Sequence, residues 1–423
     1  MGNFKKNLTA QSFIFFEKLI VQFFFPILMI VLWGKENFNL WIFFFSIPSF
    51  LSLFQISIAG PIRNELLIIY KNKKFKLLNP IYQNFLFIFL ISILIFIFIS
   101  ISFLFLNIGN NIINENITII SIVIFCSLIT LFCGGPLYVL HTYKGSLFKF
   151  TILEIIFDLL IPIAVLVSFY FLNNFTDVYY LLLLLYILKI LVSYFSIKEK
   201  YIIMFFQHKF IKIKKIKKLI KLSLGFNFEI LANIIRGPGL IFLLGISNNL
   251  SLTGMVSTLR TMFLYLPDRI FNIFIGALNI QILHFFKDYK FNNRFKFQYF
   301  KVIFYVLMLL IIYFLITYYF GVYIYNLWLN NKYFISSELV TLIVLDSIFA
   351  SLGLFIILPF KAINKFQIIG LFDLLVSIFI FIVLYKFNIF NDILTIFKFI
   401  LFGSFLNLCA KFIFVFYNFK KII

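Results

Sequence analysis

Pro80 to Leu106 reads PIYQNFLFIFLISILIFIFISISFLFL, without one charged side chain. Crossing ~30 Å of hydrocarbon takes about 20 helical residues at ~1.5 Å each. The hydrocarbon offers backbone groups no water, so a run of this kind satisfies its N–H and C=O groups internally, as a helix. Working outward, comparable runs recur near 9–32, 39–60, 116–140, 149–171, 178–197, 222–246, 253–283, 300–322, 338–359, 366–385 and 394–417. The expected fold is therefore an all-α polytopic membrane protein of about twelve spanning helices. Composition agrees. Of the 423 residues, 63% are hydrophobic and 12% are charged, and the mean hydropathy is +1.08. A soluble domain is charged at about a quarter of its positions. The stretch through residue 32 is longer than the apolar core of a cleaved signal and holds Glu17 and Lys18, so it is expected to be the first span.

The formal net charge is +22, which in a soluble chain would point to nucleic acid. Here the cations alternate with the spans. Most of the 37 Lys and Arg residues fall in stretches on one side: Lys5–Lys6, Arg63 to Lys76, Lys144 and Lys149, Lys198 to Lys221, Lys287 to Lys301, Lys361 and Lys365, and Lys411 to Lys421. The other side holds only Lys35, Lys332 and Lys386. This asymmetry assigns both termini and the basic loops to the cytoplasm, so no nucleic-acid partner is expected. The opposite loops are short, and none could hold the external catalytic domain of a membrane polymerase. Cys126, Cys133 and Cys409 lie in apolar segments, and His141, His208 and His284 are scattered, so neither a disulfide framework nor a metal site is expected.

The basic run from 198 to 221 divides the chain into an expected N-terminal six-helix bundle (1–200), a cytoplasmic linker (201–221) and a C-terminal six-helix bundle (222–423). The halves match at an offset of 212: Lys5–Lys6 on Lys217–Lys218, Phe16–Glu17 on Phe228–Glu229, Pro26 on Pro238, and Asn37 on Asn249. Six spans per half make these parallel repeats about an axis along the membrane normal. Two such bundles around a central cavity describe an alternating-access transporter.

Ionisable groups inside a span are costly and mark function. Arg236 opens Arg236-Gly237-Pro238-Gly239, which should break or kink the seventh helix near mid-membrane, with Gly237, Pro238 and Gly239 as a hinge. Arg260 and Arg269 lie on the eighth helix, the latter in Pro267-Asp268-Arg269. A guanidinium stays charged when buried and grips phosphate oxygens in pairs, so Arg236, Arg260 and Arg269 suit a pyrophosphate or an anionic sugar. Lys18 and Arg63 are further candidates for substrate binding. Glu17, Glu229, Glu154 and Asp158 are candidates for ion coupling. Glu154 and Asp158 share a helix face, so they either exchange protons or pair with Lys189. Asp346 and Asp373 are single mid-span acids with weaker claims, and Lys398 is expected to snorkel.

Trp33-Gly34-Lys35-Glu36-Asn37-Phe38-Asn39-Leu40-Trp41 is similar to the Gly-x-Glu-x-(aromatic)-Gly-x-Trp stretch of Wzx-type O-antigen flippases, with Asn39 in place of the second Gly. These belong to the multidrug/oligosaccharidyl-lipid/polysaccharide exporter superfamily. Gln55-Ile56-Ser57-Ile58-Ala59-Gly60-Pro61 resembles a family stretch that reads Asp-Leu-Gly-Leu/Ile. The resemblance extends over the chain in length, helix count and half-repeat. It implies translocation of an undecaprenyl-pyrophosphate-linked oligosaccharide, an O-antigen or capsule repeat unit, from the cytoplasmic to the periplasmic leaflet of a bacterial inner membrane through a cationic cavity. The implied partners are that substrate, membrane lipid and the polymerase of the same pathway. The related lipid II flippases carry basic residues on helices 1, 2 and 8, where Lys18, Arg63 and Arg260 fall. No cofactor is expected, and the chain has no GxxxxGK[ST] loop, so an ion gradient is the expected energy source. A cation-coupled drug antiporter of the same fold and an O-antigen polymerase are the alternative readings.

Overall fold

The computed structural model describes residues 2–52, 62, 66, 69, 73–106, 111–143, 147–172, 174–197, 206–247, 249–265, 267–268, 286–287, 290–291, 293–362, 366–387, 389 and 392–422, with side chains except at 2–16, 18–19, 111, 142–143, 147–148, 218, 222, 225, 286–298, 362 and 419–422. Ten helices among these residues are long and apolar enough to cross a membrane. The first, α1 (Gly2–Leu51), holds two helical segments joined at Gly34, whose φ of 83° and ψ of 164° break the helix. A Cβ at Gly34 would meet nothing within 4 Å, so conformation and not space calls for glycine here. The eighth expected span opens as the helix at Leu250–Arg260 and runs on toward residues outside the described set. Dividing α1 and adding that helix recovers about twelve segments, and the fold is an all-α polytopic membrane architecture.

The chain forms two compact units, 1–227 and 228–423. In the first, α1 is followed by α2 (Leu78–Leu106), then α3 (Ile117–Phe132), which runs through a wide π turn at Cys133–Leu137 into α4 (Tyr138–Tyr143). α5 (Leu147–Val167) ends in a second π turn at Ser168–Leu172, and α6 (Phe175–Phe195) follows. α1 packs on α3 and α5, and α6 packs on α3 and α5. Aromatic rings fill the joints. Trp41 stacks on Phe45 at 4.5 Å, while Trp33 meets Phe169 and Phe175, each at 5.4 Å. The segment that carries the family resemblance is thus wedged against the α5–α6 turn. α7 (Ile213–Ile234) begins inside the stretch expected as a linker, because its first turns alternate lysines with Ile216, Leu219 and Ile220, which pack on the core of the first unit.

The second unit takes up the rest of α7, its π turn at Ile235–Gly239, α8 (Leu240–Ile246), α9 (Leu250–Arg260) with a π turn at Thr261–Tyr265, α10 (Asn293–Trp328), α11 (Ser337–Ala362), α12 (Gln367–Lys386) and α13 (Ile393–Ile422). A two-residue antiparallel ladder pairs Phe286 with Phe291 and Lys287 with Lys290. α11 is the hub, packed on α10, α13 and the Thr261–Tyr265 turn, and α12 packs on α13 and the Ile235–Gly239 turn. Small residues permit these approaches. A Cβ on Gly403 of α13 would lie 2.1 Å from Ile380 Cδ1 of α12, and one on Gly321 of α10 would lie 2.8 Å from Val340 Cγ1 of α11. Hydroxyls bond to carbonyls within and between the helices, as Tyr313 does to Phe263 O at 2.7 Å in the Thr261–Tyr265 turn.

Candidate functional site

The second unit holds a partly open cavity of about 400 Å³. Its wall is built where the helix ladder of α7 opens. Pro238 has no N–H to donate, and the turn at Ile235–Gly239 widens around it. Arg260, at the end of α9 and 5% exposed, lies across this turn and donates from Nη1 to the carbonyl of Arg236 at 2.8 Å. Gly237 lies beside this contact, where a Cβ would sit 3.5 Å from Arg260 Nη2, at ordinary van der Waals distance. The Arg260 guanidinium also lies over the Tyr265 ring, 5.6 Å from its centroid. The Nε atoms of Arg236 and Arg260 are buried and have no hydrogen-bond partner.

Acids face these cations. Asp346 of α11 is 4% exposed and accepts from Ser404 Oγ of α13. Asp268 accepts from Ser351 Oγ at 3.3 Å. Asp373 of α12, also 4% exposed, pairs through Oδ2 with Lys411 Nζ of α13 at 3.1 Å. Its Oδ1 and both ends of the buried Asn407 carboxamide lack a partner. Glu229 of α7 lines the cavity and is held by Lys361 at 2.5 Å. With Lys361 counted, Arg236, Arg260 and Lys411 balance Asp268, Asp346, Asp373 and Glu229. Charges survive burial at low dielectric only with such compensation.

The structure therefore brings Arg236, Arg260, Glu229 and the Gly237-Pro238-Gly239 hinge residues to one place. The Ile235–Gly239 stretch is a continuous wide turn, and Leu240–Ile246 continues beyond it as helix. Asp346 and Asp373 belong to the same cavity, although single acids on two separate spans gave no sign of meeting. Lys411 is a correction. It was grouped by sequence with the cytoplasmic loop cations, but it is 9% exposed within α13 and bound to an acid. The signal was Asn407 and Lys411, four apart and so on one helix face. Lys361 likewise sits in the last turn of α11, bound to Glu229, and not in a loop. Lys398 reaches Glu338 at 3.0 Å.

The remaining expected residues lie in the first unit or outside the described side chains. Glu17 is buried on α1. Lys189 of α6 lies 3.6 Å from Glu154 Oε1 and 3.5 Å from Asp158 Oδ1 of α5, so the two acids share one lysine. Lys18, Arg63 and Arg269 fall outside the described side chains.

No family model matches the chain, and no curated protein matches it. Solved structures share its fold. A multidrug resistance MATE family transporter of the MOP superfamily, in an inward-facing conformation, aligns over 98% of this chain and 95% of its own at 11% identity, with a TM-score of 0.65. A MOP superfamily transporter from Pyrococcus furiosus, for which a reversed polarity of the binding pocket suggests a different function, aligns over 96% of each chain at 12% identity, with a TM-score of 0.54. The chain thus has the MATE fold.

Proposed function

We propose that this protein is an alternating-access transporter that flips an undecaprenyl-pyrophosphate-linked oligosaccharide across a bacterial inner membrane. One observation carries the reading: a buried arginine, Arg260, and a half-buried one, Arg236, on different helices meet in one cavity, each with a buried Nε donor unused. Guanidinium donors are the groups that grip diphosphate oxygens. A cavity of about 400 Å³ suits the diphosphate and its first sugar, while the rest of the glycan and the polyprenyl tail stay outside. The MATE fold supports transport, and the resemblance at Trp33–Trp41 supports the lipid-linked substrate.

A second reading has its own support. The balance of carboxylates and cations in the cavity suits coupling to protons or metal cations, as in a cation-coupled drug antiporter. The two readings agree on energy from an ion gradient and differ in cargo. The test is a strain that lacks its own flippase and makes the matching lipid-linked repeat unit. Surface polysaccharide restored by the wild type, and lost with Arg236→Ala or Arg260→Ala at equal membrane levels, is the expected result. Restoration by all three keeps the cargo and removes the arginine site. Failure of the wild type, with drug resistance gained instead, replaces the flippase with the antiporter.

A further inference from the structure

The first unit carries a second pocket, of about 860 Å³, at the end of α2 that the charge pattern assigns to the cytoplasm. Lys73, Lys74 and Lys76 line it with Leu77, Asn79, Pro80 and Phe210. Membrane orientation requires cations on this side but does not require them to be gathered around a built cleft. Three observations show construction. Asn84 and Gln83, both 0% exposed, reach from α2 to the segment before α7. Asn84 donates to Phe210 O at 3.0 Å and accepts from Lys212 N at 2.8 Å, and Gln83 Oε1 accepts from Gln207 N at 2.8 Å. These buried amides fix Phe210 as one wall. Lys73 adopts a left-handed φ of 54°, a conformation costly for a side chain with a Cβ, at the turn that presents Lys74 and Lys76. None of the three lysines makes an ion pair among the described residues.

We propose that this pocket binds the phosphate headgroup of an anionic membrane phospholipid. Lysine ammonium groups supply the charge, and the surface beside them supplies the tail site. Leu77, 43% exposed, lines the pocket with the lysines, and Phe206, also 43% exposed, stacks on Phe87 further along α2. Above them the outer face of α2 exposes Ile91, Leu94, Phe98, Ile101 and Phe105. These recur three or four residues apart, which makes one apolar stripe along α2 from Ile91 onward, beyond the Phe87–Phe206 stack. A free anion uses the lysines alone, while a lipid uses both. The site is distinct from the arginine cavity and does not depend on the cargo proposed above.

The experiment is native mass spectrometry of the detergent-purified full chain titrated with phosphatidylglycerol, phosphatidylcholine or inorganic phosphate. The wild type should retain one phosphatidylglycerol in preference to phosphatidylcholine. K73Q/K74Q/K76Q should weaken that binding by about 100-fold, taking roughly fivefold for each lysine at a charged membrane surface. K74Q/K76Q leaves the left-handed Lys73 untouched and should lose an intermediate amount, so a folding defect at Lys73 is not mistaken for lost binding. K214Q/K217Q/K221Q, on exposed lysines of α7, should bind as the wild type does. Equal losses in both triple variants would reduce the pocket to a diffuse basic surface and overturn the proposal. Phosphatidylcholine binding as tightly, or millimolar phosphate displacing the lipid, would overturn it as well.

Discussion

Arg260 Nη1 and the carbonyl of Arg236, 2.8 Å apart, join α9 to the wide turn of α7. The bond places a permanent cation on the one stretch of α7 where the helix ladder opens around Pro238.

Arg260→Ala strands that carbonyl and removes a cation from a cavity that also holds Asp268 and Asp346. Breaking a buried charge network of this kind costs about 3–5 kcal/mol. The expected outcome is a clear drop in the melting temperature of the purified protein. Arg260→Lys, which keeps the charge and loses the fork, should fall between that variant and the wild type. A melting temperature unchanged in Arg260→Ala would show that the bond contributes no net stability.

Asp373 and Lys411 should behave as a coupled pair. Each single change to Ala leaves a buried charge alone and costs about 3–5 kcal/mol, whereas removing both leaves none. The double variant should therefore be more stable than the sum of the two losses implies. A double-mutant cycle by thermal denaturation measures this, and additivity within about 0.5 kcal/mol would show that the pair is not coupled.

Two glycines should respond differently to Ala. At Gly353 the new methyl would meet Lys411 Cδ at 3.0 Å, the flexible stem of a side chain able to move aside. At Gly403 it would lie 2.1 Å from Ile380 Cδ1, inside the α12–α13 contact. Gly403→Ala should cost about 1–3 kcal/mol as overpacking. Gly353→Ala should cost less in stability and instead shift Lys411 against Asp373. Thermal denaturation of both variants gives the order, and a greater loss at Gly353 would reverse the argument.

Asp392 precedes α13 outside the span, accepting from Leu394 N at 3.0 Å and from the Thr395 hydroxyl. The Thr395 hydroxyl bond, with the backbone bonds behind it, holds the Asp392 carboxyl below its ordinary value. A lowered carboxyl stabilises the folded state above the unfolded value of about 3.9 and loses that contribution as pH falls through the lower folded value. Asp392→Ala should therefore reduce the melting temperature at neutral pH, and the gap to the wild type should close as the pH falls below about 4. A gap independent of pH would assign the effect to something other than the carboxylate.

Much of the site was legible as parts. Arg236 and Arg260 stood out because a guanidinium in an apolar run has no bland explanation, and Arg236-Gly237-Pro238-Gly239 announced an irregular helix. What could not be read was their company. Asp346, Asp373 and the Asn407–Lys411 pair lie on three different helices, and the separations between those three along the chain follow no helical period. Lys411 was misassigned because the loop pattern that orients the protein treats every cation near a span end as a solvent-facing one. Glu154 and Asp158 allowed two readings on sequence, and the position of Lys189, between both on the neighbouring helix, is what the structure adds.

The sequence by itself determined that this chain crosses a membrane many times as helices. Burying peptide groups in hydrocarbon leaves no alternative for apolar runs of that length. Only the tertiary structure decided which intramembrane charges face one another. That choice depends on helix rotation and on close approaches at Gly321, Gly353 and Gly403, where the missing Cβ admits a neighbour. Pairing energies between buried charges fall off with distance and dielectric, and no local stretch of sequence sets either across separate helices.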